Sequence, residues 1–142
     1  MILAQNAFSR WMIRSMNAAG YKDFSPLDVL VLHNVNHRGR EKRLVDICFV
    51  LHVEDQHTVN YSLKKLVKLE LVQQQERGKE IFYSATEEGT EACSKYREIR
   101  EHCLTSVYRN LDQESDRIRE AAALLRLLSG LCDQASRSAA SL

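Results

Sequence analysis

The segment Gln56 to about Leu69 constrains this chain most. Its apolar residues Val59, Leu63 and Leu66 recur at steps of four and three, which is one narrow stripe on an α-helix. Opposite that stripe stand His57, Tyr61, Lys64 and Lys68, again at helical spacing, with Asn60 and Lys65 flanking them. Such a helix docks along a single line and leaves a broad polar face outward. Asp55 is placed to cap it, after a turn at His52-Val53-Glu54.

The segments around it set the order of elements. Apolar residues at Leu3, Ala7, Phe8, Trp11, Met12 and Met16 predict a first amphipathic helix over about Ile2 to Ala19, stopped by Gly20. Ser25-Pro26-Leu27-Asp28 is a helix start: Ser25 caps, Pro26 fits the first helical position, and Asp28 stands where a capping box wants an acid. That helix is expected to end near Arg38-Gly39. A basic loop from Arg38 to Arg43 follows. It either touches phosphates or is simply solvated. The short third helix, Leu44 to about Leu51, is so apolar that burial on several sides is expected.

Leu71–Glu76 and Glu80–Ala85 read as two short strands, with Arg77-Gly78-Lys79 as the hairpin tip. Thr86-Glu87-Glu88 opens a long helix running through Ala92, Tyr96, Ile99, Cys103 and Val107. After Asn110-Leu111-Asp112 a last helix carries Ile118, Ala121, Ala122, Leu124, Leu125, Leu127, Leu128 and Leu131. The small, polar tail from Ala135 to Leu142 is expected to fray. The fold class expected is mainly α with a small β-hairpin wing. A winged helix-turn-helix lobe, about 22–86, is flanked by helical dimerisation regions, about 1–20 and 87–135. All of it forms one domain, 1–142.

This order has a physical logic. A helix that enters the major groove needs donors and acceptors outward and an apolar stripe inward. Gln56, His57, Thr58, Asn60, Tyr61 and Lys64 offer the former, while Lys65 and Lys68 suit phosphates. Tyr61 either meets a base edge or packs on Tyr83. The tip residues Arg77 and Lys79 suit a neighbouring backbone or minor groove. Net charge is only +1, yet Asn36 to Ser84 holds nine basic residues against seven acidic, while Ala85 to the end holds eight against ten. That asymmetry has the sign of a DNA-reading centre with other work at its flanks.

Thr58-Val59-Asn60-Tyr61-Ser62-Leu63-Lys64-Lys65-Leu66, Leu71-Val72 and Ala85-Thr86-Glu87-Glu88-Gly89 together resemble the MarR family of winged-helix regulators, in a divergent branch with a short wing. The resemblance implies a homodimer that binds double-stranded DNA at a pseudo-palindromic operator and regulates transcription. It further implies a dimer interface made by the first and last helices and a possible small-molecule effector. Three departures stand out. Glu70 occupies a position where the family often has glycine, the wing lacks the family's longer Asp-x-Arg loop, and the turn before the recognition helix is about one residue longer. Independently of the resemblance, Phe8, Trp11, Met12, Leu124, Leu125, Leu128 and Leu131 give more apolar surface than a small lobe needs, which marks an interface.

Other chemistries find little support. No nucleophile elbow, phosphate-binding glycine loop or paired metal ligands occur, so no enzyme, catalytic residue, metal or cofactor is expected. His33 and His37 share a helix face, but nothing completes a metal shell around them. Cys48, Cys93, Cys103 and Cys132 stand far apart and read as core or interface residues. The first twenty residues carry Arg10 and Arg14 without an apolar block, so neither a leader nor a membrane span is expected, and the location is taken as cytoplasmic. A winged-helix module that binds protein rather than DNA is the alternative. Glu54, Asp55, Glu70, Glu76 and Glu80 around the presumed DNA face favour it.

Overall fold

The computed structural model describes residues 1–109 and 115–141, so the connection expected at Asn110-Leu111-Asp112 lies outside the described residues. The chain divides into two compact units, Met1–Cys103 and Leu104–Leu142.

The first unit holds five helices and a small sheet. These are α1 (Ile2–Ala18), α2 (Pro26–Asn36), β1 (Lys42–Arg43), α3 (Leu44–Leu51), α4 (Gln56–Lys68), β2 (Val72–Arg77), β3 (Glu80–Ala85) and α5 (Glu87–Arg100). A short 3-10 turn, His37–Gly39, closes α2. The start of α2 is the capping box expected: the Asp28 amide donates to Ser25 Oγ at 3.1 Å and the Ser25 amide to Asp28 Oδ2 at 2.8 Å. Asp55 caps α4 by accepting from the His57 amide at 2.9 Å.

The sheet has three antiparallel strands in the order β1-β3-β2. The sequence suggested only the hairpin. Lys42 and Arg43 pair with Tyr83 and Phe82, so part of the expected basic loop is an edge strand. Two residues are too few to show any alternation. The hairpin turns over Gly78 and Lys79, with Arg77 opposite Glu80. Gly78 takes the positive φ of +64° that a two-residue hairpin turn requires.

One core joins these elements. Met12 and Met16 of α1, Val29, Val31, Leu32 and Val35 of α2, Ile47 of α3, and Val59, Leu63 and Leu66 of α4 are buried together with Leu71, Val72, Tyr83 and Tyr96. Two expectations change here. Met12 is consumed by this core, because it packs on the same side of α1 as Met16, and is not available to an interface. And α3 buries only Ile47 and Cys48, leaving Val45, Val50 and Phe49 (82% exposed) to solvent. A helix pinned between a strand and a tight turn meets the core on one side only, whatever its composition.

Beyond α5 the helical backbone widens through Glu101–Thr105 and continues as α6 (Ser106–Arg109). In the second unit, α7 runs Ser115–Ala139, so the tail expected to fray is helical to Ala139. Leu124, Leu125, Leu127, Leu128 and Leu131 are exposed. Among the described residues no helix is long and apolar enough to cross a membrane.

The junction that carries the wing into α5 is tight. The Thr86 amide donates to the Leu71 carbonyl at 3.1 Å and the Thr86 hydroxyl to the Glu70 carbonyl at 2.6 Å. A Cβ on Gly89 would lie 1.9 Å from the same Leu71 oxygen. Glu70 itself sits at φ +58°, where a glycine costs nothing and any side chain is strained. Opposite outcomes follow for these two positions. Gly89→Ala is expected to lower stability by about 3 kcal/mol, because backbone must move. Glu70→Gly is expected to raise it by roughly 0.5 kcal/mol, the relieved strain less the added chain entropy. Denaturant midpoints of both variants check the signs.

A candidate nucleic-acid interface on α4 and the wing

The recognition candidate is held from behind by apolar and polar contacts together. Val59, Leu63 and Leu66 are fully buried, as the stripe predicts. Ser62 is buried beside them and donates to Asp28 Oδ1 at 2.7 Å. Lys65 reaches the same carboxylate, with Nζ 2.8 Å from Oδ2. Its ammonium also donates to the Asp23 carbonyl and lies 5.4 Å from the centre of the Phe24 ring. Burial works to raise the Asp28 pKa, but the hydrogen bonds from Lys65, Ser62 and Ser25 outweigh it and hold the carboxyl below its usual value.

This assigns the lysines different work. Lys64 and Lys68 are exposed, with Gln56, His57, Thr58 and Tyr61, while Asn60 is half-buried. Tyr61 is 74% exposed and does not pack on Tyr83, which is buried in the core. Lys65 is half-buried and neutralised by Asp28, so a phosphate contact there competes with an internal ion pair. Periodicity set Lys65 at the flank of the polar face but could not show its ion pair, because the partner stands 37 residues away. The Thr58 hydroxyl donates to the Asp55 carbonyl at 2.8 Å, which ties it to the first turn of its helix.

The wing is similarly occupied. Arg77 pairs with Glu41 at 2.8 Å and stacks 5.1 Å over the Phe82 ring, while Lys79 is exposed at the tip. In the basic segment, Lys42 donates to the carbonyls of Asn34, Val35 and His37, closing the end of α2. Arg43 pairs with Asp46 at 2.9 Å and Glu80 at 2.8 Å. Arg38 and Arg40 remain exposed. Within that cluster, Lys42 and Arg43 thus fit neither alternative of the sequence reading, since both are engaged by partners within the chain. One cation that sequence reasoning did not single out, Lys22, stands beside Lys64 and Lys68 around a hollow of about 480 Å³. No local pattern announces it.

These features form a polar helix face, pinned from behind, beside a short hairpin. Residues 24–89 match the model of a winged helix DNA-binding domain. A mutant MarR from E. coli, complexed with operator DNA, has the same fold at a TM-score of 0.73 and 16% identity, over 89% of this chain and 88% of that one. MarR from Staphylococcus aureus, in complex with salicylate and kanamycin, gives 0.71 and 13%, over 92% and 86%. A Mycobacterium tuberculosis protein, RV1404, gives 0.65 and 15%, over 90% and 88%. No curated protein sequence matches the chain. The chain has a winged-helix fold, the one these MarR structures share. The expected fold class, mainly α with a small wing, is the one found, with a third strand added to that wing.

Among the described residues, no group of three His, Cys, Asp or Glu side chains could hold a metal ion. Cys48 and Cys93 are buried, and burial pushes the Cys93 thiol up to about 11, while Cys103 and Cys132 are exposed. Trp11 packs between Phe8 and Tyr96, with ring centres 5.5 and 5.6 Å apart, and Phe8 stays largely exposed. His33 packs edge-on to Tyr96 at 4.6 Å, and its Nε2 is buried without a hydrogen-bond partner. His37 is exposed in the turn after α2.

His33 sets a pH dependence of stability. Burial first, then Arg100 and Arg97, lowers its pKa from 6.5 to about 4. The neutral ring is the folded form, so the unfolded chain binds more protons between these values. The contribution is complete above 6.5 and is lost as pH falls towards 4. Near pH 5 the loss is roughly 2 kcal/mol relative to neutral pH. Thermal unfolding of His33→Phe is expected to show a flatter decline across this range. An unchanged decline would place the titrating group elsewhere.

Proposed function

We propose that this chain is a sequence-specific double-stranded DNA-binding regulator of transcription that acts as a homodimer, and not an enzyme. The observation that carries the reading is α4: capped by Asp55, pinned through Ser62 and Lys65 to Asp28, and turned so that its polar face is outward. The proposed contact set is Gln56, His57, Thr58, Asn60, Tyr61, Lys64 and Lys68 on that helix. Lys79 serves at the wing, with Arg77 free to join once it leaves Glu41. Polar side chains with both donors and acceptors suit base edges, and the lysines suit phosphates.

Apolar side chains support the dimer: exposed Phe8 beside half-buried Trp11 on α1, and separately exposed Leu124, Leu125, Leu128 and Leu131 on α7. A two-fold pair presents two α4 helices, so the operator is expected to be pseudo-palindromic with half-sites about one turn apart. The E. coli structure with operator DNA supports the DNA partner, and the S. aureus complex with salicylate and kanamycin supports a small-molecule effector. Such a protein works where the DNA is, in the cytoplasm.

One observation favours a second reading, a winged-helix module that binds protein. Val45, Phe49 and Val50 are exposed apolar residues on α3, and Glu54 and Asp55 are exposed in the turn that follows it. Selection from a random duplex pool near physiological salt separates the two. An enriched inverted repeat is expected. A folded protein that enriches no sequence would sink the DNA reading and leave the protein-binding one.

A further inference from the structure

The loop between α1 and α2 is tied to the recognition helix by a bond whose effect is to bring a distant lysine forward. Lys65 on α4 donates to the Asp23 carbonyl and pairs with Asp28. Asp23 takes φ +64°, a backbone shape that this tether helps hold. Lys22, immediately before it, therefore lies beside Lys64 and Lys68, and the three cations line one hollow of about 480 Å³. Tyr61 and Leu69 supply its apolar wall. Asp23 also lines it and offsets one charge, while the Lys65 charge is already matched by Asp28. The hollow keeps a surplus of positive charge. Among the described residues, Lys22, Lys64 and Lys68 form no ion pair with a carboxylate, in contrast to Lys65, Arg43 and Arg77.

We infer that Lys22 is a DNA-backbone contact: with Lys64 and Lys68 it forms a phosphodiester-binding hollow beside the base-reading half of α4. The inference rests on the DNA reading above and extends it to an element outside the helix and the wing. Three flexible ammonium groups around an apolar wall fit a phosphate with its sugar, and they fit it without regard to sequence. Lys22 therefore contributes to affinity and to its salt dependence, and not to the choice of operator. Lys65 is a positioning residue here, since it acts by holding the loop and touches no phosphate.

The test is a salt titration of binding to a labelled mixed-sequence duplex more than two helical turns long. Wild type, Lys22→Ala, Lys22→Arg and Lys95→Ala are compared, each checked for folding by circular dichroism. Lys95 is an exposed lysine on α5, paired with Glu91 and 5.9 Å from the centre of the Tyr21 ring, so its variant removes the same charge from a lysine near Lys22 that does not line the hollow. For Lys22→Ala, the slope of log affinity against log salt is expected to fall by about 0.9 per protomer, with binding about fivefold weaker near physiological salt. Lys22→Arg is expected to restore both, and Lys95→Ala to change neither. Selected operator sequences should be the same for all four proteins. Wild-type binding with an unchanged slope in Lys22→Ala would overturn this inference alone, and so would an equal loss in Lys95→Ala, which would reduce it to net charge. Wild type that binds no duplex even at low salt would instead overturn the DNA reading itself.

Discussion

The fold turns on one buried carboxylate. Asp28 is almost wholly removed from water, and a lone charge there would cost several kcal/mol. It is kept by three partners: the Ser25 amide, the Ser62 hydroxyl and the Lys65 ammonium, each within 2.8 Å. Those partners belong to the start of α2 and to the middle of α4. One side chain therefore begins one helix and sets the roll of another. Apolar contacts alone would let α4 rotate by some degrees about its stripe, since dispersion has little direction. Two hydrogen bonds from successive turns of the same helix do not allow that.

How much of this was legible in the sequence differs by residue. Local rules were enough for the caps at Ser25 and Asp55, the proline at the head of α2, the hairpin at Gly78 and the stripe of α4, because cause and effect lie within four residues. They were also enough to place the polar face of α4 outward. They failed wherever a side chain answers a distant one. Lys65 looked like a phosphate contact until Asp28 claimed it. Lys42 and Arg43 looked like a solvated basic run until carbonyls, carboxylates and β3 took them up. Met12 looked like an interface residue because an apolar position on an amphipathic helix carries no mark of which partner covers it.

The opposite error, on α3, has the same root. Seven of its eight residues are apolar, and composition points to burial all round. Burial, however, is decided by neighbours. With β1 feeding one end and the left-handed His52 turning the chain at the other, α3 is presented edge-on, and Phe49 and Val50 face water. The Glu70 position shows a subtler case. The backbone there takes a left-handed shape that glycine adopts without strain, and a glutamate holds it.

The third strand also changes what the wing is. Lys42–Arg43 pairs with β3 at its inner edge and runs without a break into Leu44, the first residue of α3. Arg43 is fastened to Asp46 on that helix and to Glu80 beside the hairpin turn. A hairpin attached only through its own loop would be a separate finger, free to tilt alone. This one is a lever whose fulcrum is the entry to the helix-turn-helix. Strand pairing and two ion pairs, as well as the chain itself, thus join the hairpin to the head of α3, which packs on α4.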